Sequence, residues 1–225
     1  MALVDAVAQI LNKLLEVVVA AFVAKPNAIL SYAWEFIQRV VGLRHEGMYE
    51  VLEYEARLVL KDPRGETAHY FKRQRVRFVQ DNIIAYQDQA WGDGDIFADY
   101  KCSPGVAVDR YREGNRYRIL ISLRESKKRG DIEEFNIQRT IEHGFTKAVE
   151  DFQTDIDHTT RKLRVSVVFP AARIPRQISL IEKNAARTTP LGKDQLRALP
   201  DGRWQVTFST GKPRLFESYI LRWSW

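Results

Sequence analysis

The sequence predicts a mostly-β protein, an antiparallel sandwich or barrel, preceded by an N-terminal apolar α-helical hairpin. Three observations lead there. After Gly47, segment after segment alternates apolar with polar residues, the period of half-buried strands. Residues that favour turns separate these segments, and no βαβ alternation supports a parallel nucleotide-binding sheet. Before residue 44, by contrast, polar residues recur every three or four positions, which is helical spacing.

The first helix is expected over Leu3 to Ala24, where Asp5, Gln9, Asn12, Lys13 and Glu16 fall on one narrow stripe and the remainder is apolar. Lys25-Pro26-Asn27 interrupts it, because proline cannot continue a helix and disfavours helical geometry in the residue before it. A second helix follows from about Ala28 to Val41, with Ser31, Glu35, Gln38 and Arg39 on its polar stripe, and Gly42 is a natural stop. The uncharged runs, Val17 to Ala24 and Asn27 to Trp34, fall short of the roughly 20 apolar residues of a single span. The wide apolar surface still needs a cover, for which the β domain, neighbouring subunits and lipid are the three options. Two domains are therefore expected: a helical hairpin at 1–44, for oligomerisation or membrane engagement, and a β-rich domain at 45–225, in which the 127–131 loop is either a division between two β layers or an ordinary hairpin tip.

Strands are expected at Tyr49 to Leu60, Ala68 to Val79, Ile83 to Gln87, Arg116 to Arg124 and Glu133 to Ile141. Four more are expected at Arg161 to Phe169, Gln177 to Glu182, Arg203 to Ser209 and Ser218 to Trp225. Asp62-Pro63-Arg64-Gly65 is the turn of the first hairpin. Thr146 to Phe152 is the one candidate helical turn in this region.

Composition bounds the function. With 45% hydrophobic and 28% charged residues, the chain is an ordinary globular sequence, not a disordered one. One cysteine, Cys102, excludes an intramolecular disulfide framework, and the start Met1-Ala2-Leu3-Val4-Asp5 lacks the basic flank of a secretory signal. The expected location is the cytoplasm, peripheral to or inserted in the inner membrane if the helices meet lipid. A formal charge of +6 favours anionic partners: nucleotide, nucleic acid or a membrane face, though no sequence-specific nucleic-acid signature is present.

No catalytic motif appears: there is no Gly-x-Ser-x-Gly, phosphate loop, dinucleotide fingerprint or zinc-binding histidine pair, and no cofactor is expected. His45, His69, His143 and His158 are scattered. Lys101 could lower the pKa of Cys102, whereas a lone thiol without a histidine motif is ordinarily a small apolar group. The segment Asp88 to Asp99 offers carboxylates for a hard cation, or a glycine-bearing turn capped by aspartates. The candidate anion site consists of two basic alternations. Arg73, Arg75 and Arg77 share one strand face, and Arg110, Arg112, Arg116 and Arg118 share parity around a Glu113-Gly114-Asn115 turn. The competing expectation is a solvated sheet face on which these arginines pair with Glu53, Glu55 and similar acids.

An apolar helical pair at Ala2 to Leu43, followed by a β-rich domain bearing Arg73, Arg75, Arg77, Arg110 and Arg112, resembles the small membrane effectors of bacterial anti-phage signalling systems. The resemblance is one of layout, and the charged residues Asp5, Lys13, Glu16, Glu35 and Arg39 depart from simple spanning helices. It implies a β-barrel that senses a cyclic nucleotide and helices that act on a membrane. Three functions therefore compete. The first is a non-enzymatic, homo-oligomeric sensor or effector with an anionic ligand or protein partner. The second is a soluble adaptor assembled through the hairpin, and the third a metal-dependent hydrolase using Asp93, Asp95 and Asp99.

Overall fold

The computed structural model describes residues 47–225, of which Met48–Trp225 form a single unit. The expected helices, with the stripes Asp5, Gln9, Asn12, Lys13, Glu16 and Ser31, Glu35, Gln38, Arg39, lie outside the described residues. Alternation dominates what is described. The first strands are β1 (Tyr49–Leu60), β2 (Thr67–Phe78), β3 (Ile83–Ala90), β4 (Asp95–Ser103), β5 (Val106–Glu113), β6 (Arg116–Lys127) and β7 (Ile132–Glu142). There follow β8 (Val149–Asp155), β9 (Leu163–Phe169), β10 (Gln177–Glu182), β11 (Arg187–Leu191), β12 (Leu196–Ala198), β13 (Trp204–Thr210) and β14 (Ser218–Ser224). The one helical element among the described residues is a 3-10 turn at Lys193–Gln195, and none is long and apolar enough to cross a membrane.

The strands form three sheets: seven strands in the order β12-β13-β9-β1-β2-β7-β4, four in the order β11-β10-β14-β8, and three in the order β3-β6-β5. Period-2 alternation gives the long sheet one apolar face, on which Ala56, Leu58, Val76, Phe78, Phe135, Val165, Val167 and Val206 are all buried. Both smaller sheets pack on that face. At one end Tyr86 of β3 stacks on Phe135 of β7, with ring centroids 3.9 Å apart. At the other, Trp223 of β14 meets Phe169 of β9 at 5.5 Å, and Tyr219 meets Phe208 of β13 at 5.3 Å. The arrangement is a sandwich whose second layer is split in two.

The first hairpin shows how local chemistry sets register. Asp62 Oδ1 accepts from the Arg64 and Glu66 amides at 2.9 and 3.2 Å, and Oδ2 from that of Thr67 at 2.7 Å, closing an Asx-type turn. Gly65 sits at φ 74°, where an added Cβ would fall 1.8 Å from the Phe145 carbonyl oxygen, so no other residue fits without displacing backbone.

Three expectations need correction. The β1–β9 pair is parallel, in register from Tyr54↔Leu163 to Val59↔Val168, so the long sheet is mixed rather than wholly antiparallel. No hairpin constrains these two strands, and β9, buried at every position but Arg164, is the kind of strand that accepts a parallel neighbour. The candidate helical turn at Thr146 to Phe152 is instead the start of strand β8, where Phe152 and Thr154 point inward and the backbone pairs with β14. The acidic segment ends in strand β4, an edge strand paired only to β7, whose solvated positions hide the alternation. The 127–131 loop links β6 of the three-stranded sheet to β7 of the seven-stranded one.

Trp223 is 1% exposed and lies among Phe145, Phe169 and Trp225 on the central strand of its sheet. Trp223→Ala is expected to lower the unfolding free energy by about 3–5 kcal/mol, read from the urea midpoint.

Candidate anion-binding site

β3 ends the three-stranded sheet and β8 ends the four-stranded one, so two free edges flank a seam above the middle of the long sheet. Two cavities of about 280 and 260 Å³ open there, both lined by Tyr54 of β1 and Gln89 of β3. Side chains span the seam in place of a backbone ladder. Gln89 Nε2 donates to Asp157, and Arg116 Nη2 donates to Asp155 Oδ2 at 2.5 Å.

The floor beneath the seam is polar. Lys72, Gln74 and Arg139, all buried, project from the face that elsewhere carries Val76, Phe78, Phe135 and Ile137. Lys72 Nζ donates to Asp88 Oδ1 at 2.8 Å, and the side chains are 7% and 2% exposed. Tyr100 OH donates to the other oxygen of Asp88 at 3.0 Å, and Tyr86 OH donates to Gln74 Oε1. The rings of Tyr54 and Tyr86 lie 5.6 and 5.4 Å from Lys72 Nζ. Burial is the largest influence on Lys72 and opposes its charge, but the Asp88 carboxylate, together with Tyr54, Tyr70 and Tyr49, holds the pKa above the ordinary lysine value. Lys72 is therefore neither a free amine nor an open anion site. Beside it, His158 stacks on Tyr49 at 4.4 Å, and burial lowers its pKa against the pull of Asp157.

The seven expected arginines do not converge. Arg73, Arg75 and Arg77 lie on the outer face of β2, opposite in parity to Lys72 and Gln74. Acids meet them there: Arg73 with Glu134 at 3.1 Å and with Glu53 and Glu55 at 3.4 Å, Arg77 with Glu50 at 3.0 Å. Arg75 is exposed and sits in register between Glu53 and Glu134. This face is the solvated, cross-strand paired surface.

The other four split into two pairs. Glu113 pairs with Arg116 across a two-residue turn, so residues of equal parity on the two arms fall on opposite faces of β5–β6, which corrects the expectation of a single row. Arg116 and Arg118 reach Gln89 Oε1 at 3.1 and 2.9 Å, with Arg116 over the Trp91 ring at 4.5 Å and Arg118 Nε on Glu113 at 2.7 Å. Arg110 and Arg112 go the other way. Arg110 lies over the Phe97 ring at 4.4 Å and Arg112 over Tyr117 at 5.9 Å, with Arg112 Nε donating to the Gly114 carbonyl at 3.0 Å. Both guanidinium groups of this pair are therefore backed by aromatic rings.

The aspartates proposed for a metal serve separate tasks. Asp93 pairs with Lys147, Asp95 accepts the Phe97 amide at 2.9 Å, and Asp99 pairs with Lys101 at 3.0 Å. Among the described residues no group of three or more His, Cys, Asp or Glu side chains is placed to hold a metal. Burial raises the Cys102 pKa, and Lys101, committed to Asp99, does not activate the thiol.

Lys72, Asp88 and Arg139 were not singled out from sequence, yet each carried a signal: a charge standing on the apolar parity of its strand. Arg139 shares parity with Phe135, Ile137 and Ile141, and Lys72 with Tyr70, Val76 and Phe78.

Two measurements check this reading of the seam. Asp88→Asn leaves the Lys72 charge buried without its counter-ion and is expected to cost about 3–5 kcal/mol in urea unfolding, with Lys72→Met in the same chain recovering part of the loss. Because the folded pKa of His158 is depressed, its stabilisation is present above the ordinary value of 6.5 and is lost as pH falls through the folded value. His158→Phe is therefore expected to flatten the pH dependence of the urea midpoint below about 6.5.

No protein-family model matches the chain, and no curated protein matches it. Among solved structures, a Parabacteroides distasonis protein provisionally described as a protease aligns at 10% identity and a TM-score of 0.46, over 79% of this chain and 40% of that one. An M1 zinc metallopeptidase from Deinococcus radiodurans aligns at 9% identity and a TM-score of 0.46, over 77% of this chain and 42% of that one. The chain spans about two fifths of the length of each, and likeness at this level assigns neither family nor activity.

Proposed function

We infer that the chain is a non-enzymatic sensor or effector. Its β unit reads an anionic, phosphate-bearing ligand, and its N-terminal segment oligomerises or engages a membrane, as in the bacterial anti-phage effectors whose layout it resembles. One observation supports this above the rest. Arg110 and Arg112 are exposed on β5, backed by Phe97 and Tyr117, and no carboxylate among the described residues forms an ion pair with either. Guanidinium groups held on aromatic rings keep their forks free and oriented for phosphate oxygens.

The adaptor reading has its own support. All eight residues of β5 are exposed, it is an edge strand, and Val106, Val108 and Tyr111 are 55%, 58% and 50% exposed. Such an edge offers backbone and apolar contacts to a protein partner. Sedimentation of the full chain with and without detergent separates the two: an oligomer indifferent to detergent favours the adaptor.

Calorimetric titration of the full chain with tripolyphosphate and with a cyclic dinucleotide tests the ligand half. Arg110→Ala/Arg112→Ala is expected to weaken binding roughly thirty-fold, with a shallower salt dependence. Binding unchanged in the double variant removes these arginines from the reading. Liposome leakage tests the membrane half, and intact vesicles in the presence of assembled protein exclude it.

A further inference from the structure

We propose that the larger seam cavity, over Arg139, binds a singly charged carboxylate carried on a flat apolar body. The site is separate from Arg110 and Arg112 and stands whether or not they bind phosphate.

Arg139 lies in the middle of β7, in register with Tyr70 on one side and Tyr100 on the other, and its side chain shares the inward parity of Phe135, Ile137 and Ile141. It is 8% exposed. Its guanidinium sits over the Tyr70 ring at 4.3 Å, and both Nε and Nη1 are buried without a hydrogen-bond partner. Among the described residues it forms no ion pair, in contrast to Lys72 on the neighbouring strand β2, which meets Asp88 at 2.8 Å. A buried guanidinium without a counter-ion is among the costliest groups a core can hold. An apolar residue would serve packing better at this position. Arg139 lines the larger cavity, which is where an anionic occupant can meet its guanidinium.

Charge around the cavity narrows the occupant. Lys147, at its rim, is already paired with Asp93, and Asp151 takes Arg222 at 2.7 and 2.8 Å. Glu150 accepts the Lys147 amide, and burial raises its carboxyl toward the neutral form. Those two pairs cancel, and Arg139 and Glu150, the charged groups left on the wall, form no ion pair with each other among the described residues, so the guanidinium has no counter-ion in contact. A dianionic phosphate would face Asp93, Glu150 and Asp151 around the opening, whereas a carboxylate balances Arg139 and matches its planar fork. Trp91, Ile96, Phe145 and Phe152 give the wall flat, apolar stretches beside the amides of Gln89 and Gln153. At about 280 Å³ the cavity is near the lower bound for small-molecule sites, which suits a body of one or two rings. The occupant is therefore an aryl or indolyl carboxylate.

The experiment is thermal denaturation and calorimetry of the full chain with benzoate and indole-3-acetate, against benzamide and inorganic phosphate. The two carboxylates are expected to raise the melting temperature and to bind, while benzamide and phosphate do neither. Arg139→Met is expected to weaken carboxylate binding about tenfold or more and to melt no lower than the parent, because an unpaired buried charge has been removed. Trp91→Ala, at the cavity wall, is expected to weaken indole-3-acetate more than benzoate. It also keeps the test open should Arg139→Met fail to fold. The proposal is overturned if benzoate and benzamide bind equally or not at all, if phosphate is preferred, or if Arg139→Met keeps the parent's affinity.

Discussion

Free strand edges cannot lie side by side without either pairing or being held apart, and the described unit holds two of them apart. The long mixed sheet presents one apolar face, and two smaller sheets cover it instead of one continuous layer. Where β3 and β8 face each other, backbone groups that a ladder would have consumed are left beside a seam, and water or polar side chains must satisfy them. Arg116 to Asp155 and Gln89 to Asp157 do part of that work.

The polar floor follows from the same split. Side chains on the long sheet are apolar where a second layer covers them, and change character under the seam, where Lys72, Gln74 and Arg139 replace the valines and phenylalanines of their neighbours. Lys72 is fully committed: its ammonium meets Asp88, whose second oxygen takes Tyr100, and tyrosine rings flank it. Such a network rigidifies a core when its charges are paired, and here the ammonium and both Asp88 oxygens each have a partner. Arg139 is its counterpart in position but not in pairing. That inequality between two buried cations distinguishes the two cavities: the smaller is lined by the satisfied Lys72, the larger by the unsatisfied Arg139.

On the outer face of β2 the arginines are largely neutralised in place. The formal charge of +6 describes the whole sequence, while the local picture on β2 is arginine against glutamate on both neighbouring strands. Exposed pairs of this kind contribute little to stability and present little net field to a ligand. On β5, by contrast, aromatic rings rather than acids support Arg110 and Arg112. A residue's partners, more than its charge, decide what it can recognise.

Much of the β architecture was legible in sequence. The nine expected segments all coincide with strands, Tyr49–Leu60 and Gln177–Glu182 to the residue, because alternation and turn chemistry are local. β4, β5, β8, β11 and β12 escaped, since an edge strand solvates positions that would otherwise show the period, and so did the parallel β1–β9 pair, which joins segments far apart in the chain. Parity on β2 correctly separated Arg73, Arg75 and Arg77 from the core. The same rule failed across the β5–β6 turn, because pairing Glu113 with Arg116 exchanges the faces. Sequence alone thus determined which residues alternate, where chains turn and which arginines share a strand. Only the tertiary structure decided which sheets meet, where their edges stop short, and that Lys72 finds a carboxylate while Arg139 does not. Those outcomes depend on distances between segments that no local spacing encodes.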